Sequence, residues 1–373
     1  MIVGVSTRAV AQSACRVGYH IRTVDFFGDY DQKRCCPNVS LRRDLGQPFS
    51  AWGLFRAAWL DSGGTQCPDG VVYLATLENH PEVITAFEQR THVLGNSATT
   101  VAAVRDWETL AACAARVGVR TPQTLAAGRP AGRGKWLAKP RRSGGGHGIR
   151  VWRGEALGGG WLVQECISGT PCSVAFAADG RRAVVLGISE QLIGRREFGA
   201  RGFRYCGNIF PLSHTPAGLS TLMARLQDQV SEFARTFGLV GVGGIDFVLA
   251  EGEPVVLELN PRYTGSMELV ERATGASIFD VHMRALRGDL PDPYTFQGTG
   301  GYWGKAIVFA RRDGVARGTD RWLEREVCDV PFDGDRIRAR SPICTVVARG
   351  PTRDACLETL RARADEIQED LNG

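Results

Sequence analysis

Lys139 is followed by Pro140-Arg141-Arg142-Ser143-Gly144-Gly145-Gly146-His147-Gly148, in which four of the five residues 144–148 are glycine. Packing does not call for so much glycine, because each one loses more conformational freedom on folding than any other residue. The pattern suits a backbone that lies close to a ligand or covers it, and the amides of such a loop suit phosphate oxygens. A flexible surface hairpin would explain the loop if it stood alone. Lys139, ending a short strand, places an ammonium against the same phosphates. This is not a P-loop, because the lysine precedes the glycines and no G-K-[ST] follows. His147 either touches a phosphate or gives the loop a polar tip.

A second group lies further along the chain. Asp246 interrupts the apolar run 240–250, and Glu258, Asn260 and Arg262 alternate in Val255-Val256-Leu257-Glu258-Leu259-Asn260-Pro261-Arg262. The period of a strand puts those three on one face. Glu251-Gly252-Glu253-Pro254 reads as a hairpin turn that brings Asp246 to the same face. Two carboxylates and an amide oxygen are hard ligands suited to Mg²⁺ shared with nucleotide phosphates, and Arg262 is placed to neutralise developing negative charge. Any one of these acids would suit a structural ion pair. The set, taken with the glycine loop, points to phosphate chemistry.

The elements that must carry these residues begin with a strand at 2–5, a helix at 8–17 and a strand at 20–25, the opening of a doubly wound α/β layer. Ser6, Thr7 and Arg8 stand where a dinucleotide fingerprint has further glycines. Ser6, Thr7, Arg8, Asp25 and Glu78 end strands of this unit and face the expected cleft, so Ser6, Arg8 and Glu78 are candidates for binding substrate. A strand at 71–74 and a helix at 81–90 follow. Ser97 caps a helix running to 117, with Gly118 beyond it. Strands are expected at 136–139, 149–152 and 162–167, and 173–177 with 183–189 alternate as an antiparallel pair. A long loop at 194–207 brings Arg195, Arg196, Arg201 and Arg204, beside Tyr205, to where a carboxylate-rich substrate would enter. A solvated surface loop is the plainer alternative. An amphipathic helix at 218–237, strands at 244–250 and 255–259, and helices at 270–274 and 278–287 precede a Pro- and Gly-rich linker at 290–301. Strands at 304–310 and 343–349 and a helix from 353 complete the chain.

Hydrophobic residues make up 43% of the 373, as in a folded globular protein. The net charge of +5 is too small and too dispersed to mark a nucleic-acid binder. No apolar run reaches the roughly 18–20 residues of a membrane span. The start, Met1-Ile2-Val3-Gly4-Val5, has no basic segment before an apolar one, so a cytoplasmic protein is expected. Eleven cysteines, an odd number without a C-x-x-C, read as reduced thiols, mostly small buried hydrophobes. Cys206 has arginines nearby but no histidine in its motif, which argues against a nucleophile. There are four lysines against 41 arginines. Lys33 and Lys135 read as surface; Lys305 either reaches back to the site or, the preferred reading, is exposed.

On Lys139, the loop 143–148 and the D…E-x-N-x-R order of Asp246, Glu258, Asn260 and Arg262, the chain resembles the ATP-grasp superfamily over about residues 1–310. The resemblance implies an α/β plus α+β protein with the ATP-grasp fold and an N-terminal Rossmann-like pre-grasp domain. It implies a pre-grasp domain at 1–95, a central subdomain with the glycine-rich loop at 96–165, a lobe with the metal site at 166–290 and a strand and helix extension at 291–373. Carried over by position, Lys139 and Ser143, Gly144, Gly145, Gly146 and His147 contact the nucleotide phosphates, and the backbone of Gln164-Glu165-Cys166-Ile167 reads the adenine edge. Asp246, Glu258 and Asn260 hold the metal, and Arg262 acts beside the transferred phosphoryl group. The implied cofactors are ATP and Mg²⁺, two ions, with Mn²⁺ as a substitute; the implied partners are a small carboxylate and a small amine, with a homodimer as one assembly.

Two departures stand out. The family's D-K pair is replaced by Arg105-Asp106-Trp107, so Arg105 takes the place of a lysine that it does not match chemically. Gly169-Thr170-Pro171-Cys172-Ser173 offers no acid for the ribose. The phrases Lys139–Gly146, Gly202-Phe203-Arg204-Tyr205-Cys206-Gly207 and Glu258-Leu259-Asn260-Pro261-Arg262-Tyr263 are similar to the tyramine–glutamate ligases of methanofuran-type cofactor synthesis in one-carbon metabolism. That likeness implies amide formation through an acyl phosphate. A kinase or carboxylation-type enzyme would use the same nucleotide site, and a non-catalytic nucleotide-binding protein is a third alternative.

Overall fold

The computed structural model describes residues 1–60, 68–126, 134–213, 216–292 and 300–371. Three of its sheets position the site. Asn38–Ser40, Thr23–Asp25, Ile2–Val3 and Val72–Tyr73 form a parallel sheet in that order. Val3, Val24, Leu54, Ile84 and Phe87 make its core with flanking helices. Helices Tyr30–Cys35 and Ala51–Ala57 and the strand Asn38–Ser40 carry no clear periodicity in the sequence, and packing against this sheet decides them.

The second sheet orders Thr124–Leu125, Trp161–Glu165, Trp136–Pro140 and Arg150–Val151 antiparallel and so supports Lys139. The third has eight antiparallel strands: Glu253–Asn260, Val240–Ala250, Thr170–Asp179, Ala183–Ile193, Tyr205–Phe210, Tyr302–Phe309, Pro342–Gly350 and Val327–Cys328. Strand alternation sorts its faces. Val174, Phe176 and Ala178 pack with Leu226, Val230 and Phe233 of helix Pro216–Phe237, while Ala175 and Ala177 pack with Met267 and Ile278 on the other side. Each large side chain buried this way contributes roughly 1.5–3 kcal/mol, so packing fixes the register that the site depends on.

The structure alters three expectations. The single helix at 97–117 is two, Ala98–Arg105 and Trp107–Arg116, because Asp106 is extended (φ −77°, ψ 110°) and its carboxylate caps the Thr109 N–H at 3.0 Å. The loop at 194–207 is shorter, since strand Tyr205–Phe210 begins within it. The sheet also runs across residue 290: Tyr302–Phe309 pairs with Tyr205–Phe210, so the strands of 291–373 continue the lobe's own sheet. Of the expected linker 290–301, residues 293–299 lie outside the described residues. Among the described residues no helix is long and apolar enough to cross a membrane.

Candidate functional site

The hairpin sets Asp246 directly opposite Glu258 and Gly244 opposite Asn260. Asp246 accepts from Gln191 Nε2 at 2.8 Å and from Asn260 Nδ2 at 3.1 Å. The Asn260 amide oxygen accepts from Arg262 at 3.1 Å, and Arg262 also donates to Glu78 Oε1 at 2.5 Å and to the Tyr263 carbonyl at 3.0 Å. Glu258 faces the cations: Lys139 Nζ lies 3.4 Å and Arg105 3.6 Å from its Oε2. Burial opposes charge on Glu258, yet Lys139 and Arg105 hold its carboxyl at about 2. Asp246 moves the other way, up to about 7, through burial and then the facing charge of Glu258.

Two carboxylates paired across adjacent strands repel, and the Asn260 amide donating to Asp246 does not by itself offset this. A divalent cation between them would, and the oxygen-only donor set of Asp246, Glu258 and Asn260 suits Mg²⁺. The Asn260 oxygen keeps a second lone pair while it accepts from Arg262.

Arg105 bridges the cleft. Besides facing Glu258, it donates to Asn79 Oδ1 at 2.8 Å and to the Ser143 carbonyl at 3.4 Å, so the glycine loop, the helix end and the pre-grasp turn meet at one guanidinium. Ser143 closes the loop by donating to the His147 carbonyl at 2.5 Å, and the His147 ring is exposed. The glycines have a second purpose. Gly146 has φ +72° and packs so closely on the Phe203 carbonyl that a Cβ would overlap it, while Tyr205 N–H donates to the Gly145 carbonyl at 3.0 Å. The loop is thus docked on the strand that begins at Tyr205.

The stretch 164–167 divides by its hydrogen bonds. Glu165 N–H donates to the Gln123 carbonyl at 2.8 Å and Cys166 N–H to the Lys135 carbonyl at 2.9 Å. The Gln164 side chain, 8% exposed, donates to Thr124 Oγ1 at 3.1 Å. Cys166 therefore has no free amide for a base edge. The Ile167 N–H has no backbone partner among the described residues and remains available.

Several residues expected to meet substrate are committed elsewhere. Arg8 is 1% exposed and bound by Glu268 at 2.5 Å and Asp329 at 2.9 Å, with Asp31 at 3.6 Å. It joins the pre-grasp domain to the lobe instead of facing substrate. Arg204 donates to the Arg340 carbonyl at 3.0 Å and stacks over Phe309 at 4.9 Å. Arg195 pairs with Glu197 at 2.7 Å. Glu78, 2% exposed, is the anchor of Arg262, and Ser6 does not end a strand but lies, half-buried, in the connection between strand Ile2–Val3 and helix Arg8–Arg16. The Tyr205 hydroxyl donates to Asn208 Oδ1. Lys305 is 7% exposed, not on the surface, and donates to Glu268 at 3.0 Å; burial disfavours charge on Glu268, but Arg8 and Lys305 hold it ionised. Cys206 donates to the Leu192 carbonyl at 3.2 Å and burial lifts its thiol to about 11, which is wrong for a nucleophile. Gln191, Asn79 and Asn208 were not read from the sequence. Asn79 adjoins Glu78 in Glu78-Asn79-His80-Pro81, and that adjacency was a usable signal.

Residues 106–266 match the model of the ATP-grasp domain. The chain is 24% identical over 127 residues to the arginine-specific large chain of carbamoyl phosphate synthase from Bacillus subtilis, covering 34% of this chain and 12% of that one. The curated relatives it matches are longer proteins, of which the matched parts span 12% and 42%. N5-carboxyaminoimidazole ribonucleotide synthetase from Thermus thermophilus superposes with a TM-score of 0.69 at 18% identity, over 98% of this chain and 97% of that one. L-amino acid ligase from Bacillus licheniformis superposes with a TM-score of 0.68 at 14% identity, over 98% and 96%. The chain has the ATP-grasp fold.

Proposed function

We propose that the chain is an Mg-ATP-dependent ligase that joins a carboxylate to an amine, releasing ADP and phosphate. The observation that carries this reading is the convergence of Lys139, Arg105 and Arg262 on the Asp246, Glu258 and Asn260 donor set. A substrate carboxylate oxygen attacks the γ-phosphorus and ADP leaves; the amine nitrogen then attacks the acyl carbon, and phosphate departs as the nitrogen loses its proton. This path crowds negative charge in one place and needs fixed cations more than a covalent nucleophile. Mg²⁺ held by Asp246, Glu258 and Asn260 would screen the phosphates, with two ions in the site and Mn²⁺ able to substitute. Lys139 and Arg105 bind phosphate oxygens, and Arg262 is oriented by Glu78 and Asn260 toward the transferred group. Ile167 offers its N–H to the adenine edge.

The substrates in this reading are glutamate or a similar amino acid and a small amine, in cofactor biosynthesis. The likeness to tyramine–glutamate ligases and the fold shared with an L-amino acid ligase support it. A carboxylation-type reaction is the second reading, favoured by the names of the carbamoyl phosphate and N5-carboxyaminoimidazole ribonucleotide relatives. Hydroxylamine trapping with ATP and a panel of amino acids separates them. A ligase forms hydroxamate together with ADP. Phosphate release that requires bicarbonate supports the second reading, a stable phosphorylated product identifies a kinase, and no ADP at all leaves a non-catalytic nucleotide binder.

A further inference from the structure

Cys15, in the last turn of helix Arg8–Arg16, meets Cys35 and Cys36 at the end of helix Tyr30–Cys35, and the three sulfurs lie within 4.8 Å of one another. Other thiols of the chain serve as packing: Cys113 and Cys172 sit in one hydrophobic core and Cys206, Cys344 and Cys356 in another. These three belong to no core cluster among the described residues and are half-buried, with polar neighbours. Gln32 Nε2 donates to Cys36 Sγ at 3.3 Å and the Thr23 hydroxyl lies 3.8 Å from it. Of the cations adjoining these cysteines in sequence, Lys33 pairs with Asp44 and Arg16 with Glu271, while Arg34 lies over the Tyr30 ring at 5.7 Å.

We propose that Cys15, Cys35 and Cys36 form a trithiolate site for a thiophilic d¹⁰ cation, Zn²⁺ or Cu⁺. Soft thiolates select these ions, and sulfurs bound at roughly 2.3 Å from a common metal stand roughly 3.8 Å apart, so closing the site needs shifts of no more than about 1 Å. Bound metal would pin together the two helices that carry Arg8 and Asp31, and it uses no residue of the nucleotide cleft.

The test is anaerobic titration of the reduced chain with Zn²⁺ and, separately, with Cu⁺, each against a chromophoric chelator. One equivalent should bind with a Kd below about 1 μM, Cys36→Ala and Cys15→Ser should abolish it, and Gln32→Leu should weaken it about tenfold as an outer-shell change. Melting of the wild-type chain should rise with the metal and fall back with EDTA, a readout that does not depend on the variants folding. The arm that binds identifies the cation. Absence of binding in both arms, or one equivalent retained by Cys36→Ala, overturns the proposal.

Discussion

Arg8 and Arg262 are both buried arginines gripped by buried acids, yet their surroundings differ in one respect. Every direction from Arg8 meets an acceptor: Glu268, Asp329 and Gln12 take its donors, with Asp31 close by. Around Arg262 polar capacity is left over. Its own Nε and the second oxygen of Glu78 are buried without a partner among the described residues. Leaving a buried donor or acceptor unmade costs about 1–3 kcal/mol, so two such groups side by side need a reason, and a ligand that completes them is one. Burial and charge therefore do not mark a site by themselves; unspent hydrogen-bonding capacity does.

That contrast can be broken. Arg8→Ala strands Asp329 and part of Glu268 without a counterion, and the expected loss is about 3–5 kcal/mol of unfolding free energy, read from the urea midpoint. Activity should fall only as far as the folded fraction does. An unchanged midpoint would mean that the junction is not a structural ion network.

Glu258→Ala should do the reverse. It relieves Asp246 of a facing charge but takes the partner from Lys139 and Arg105, so the melting temperature should fall far less than in Arg8→Ala, while ATP-dependent phosphate release drops at least about 100-fold, roughly 2.7 kcal/mol of barrier. Activity within threefold of wild type would sink the metal assignment. The smallest effect is expected at Lys139, which is partly exposed and pairs with Glu258 at 3.4 Å. Lys139→Ala should leave stability within about 0.5 kcal/mol and weaken ATP binding about tenfold, roughly 1.4 kcal/mol. An unchanged calorimetric ATP titration would remove Lys139 from the phosphate site.

Much of the fold was readable because its signals are local. The helix after residue 8, the hairpin around Glu251-Gly252 and the antiparallel pair Thr170–Asp179 and Ala183–Ile193 follow from periodicity and turn chemistry. The short pre-grasp helices were not, since six or seven residues carry too little pattern and rely on the core beneath them. Asp106 shows the finer failure: one capping side chain outweighed a helical pattern that continued on both sides.

Lys139, the glycine loop and the Glu258, Asn260 alternation were legible because each motif is a few residues long and the strand period puts Glu258 and Asn260 on one face, whereas Arg262 lies past the strand's end and is held by Asn260 and by the distant Glu78. Tertiary structure decided which arginines are free to act. Arg8 meets Glu268 260 residues away and Asp329 321 residues away, whereas Arg105, the unpromising replacement for a lysine, reaches Glu258. A residue type states which partners it can take; only the folded chain states which of them it already has, and in this protein that is set by contacts between residues hundreds of positions apart.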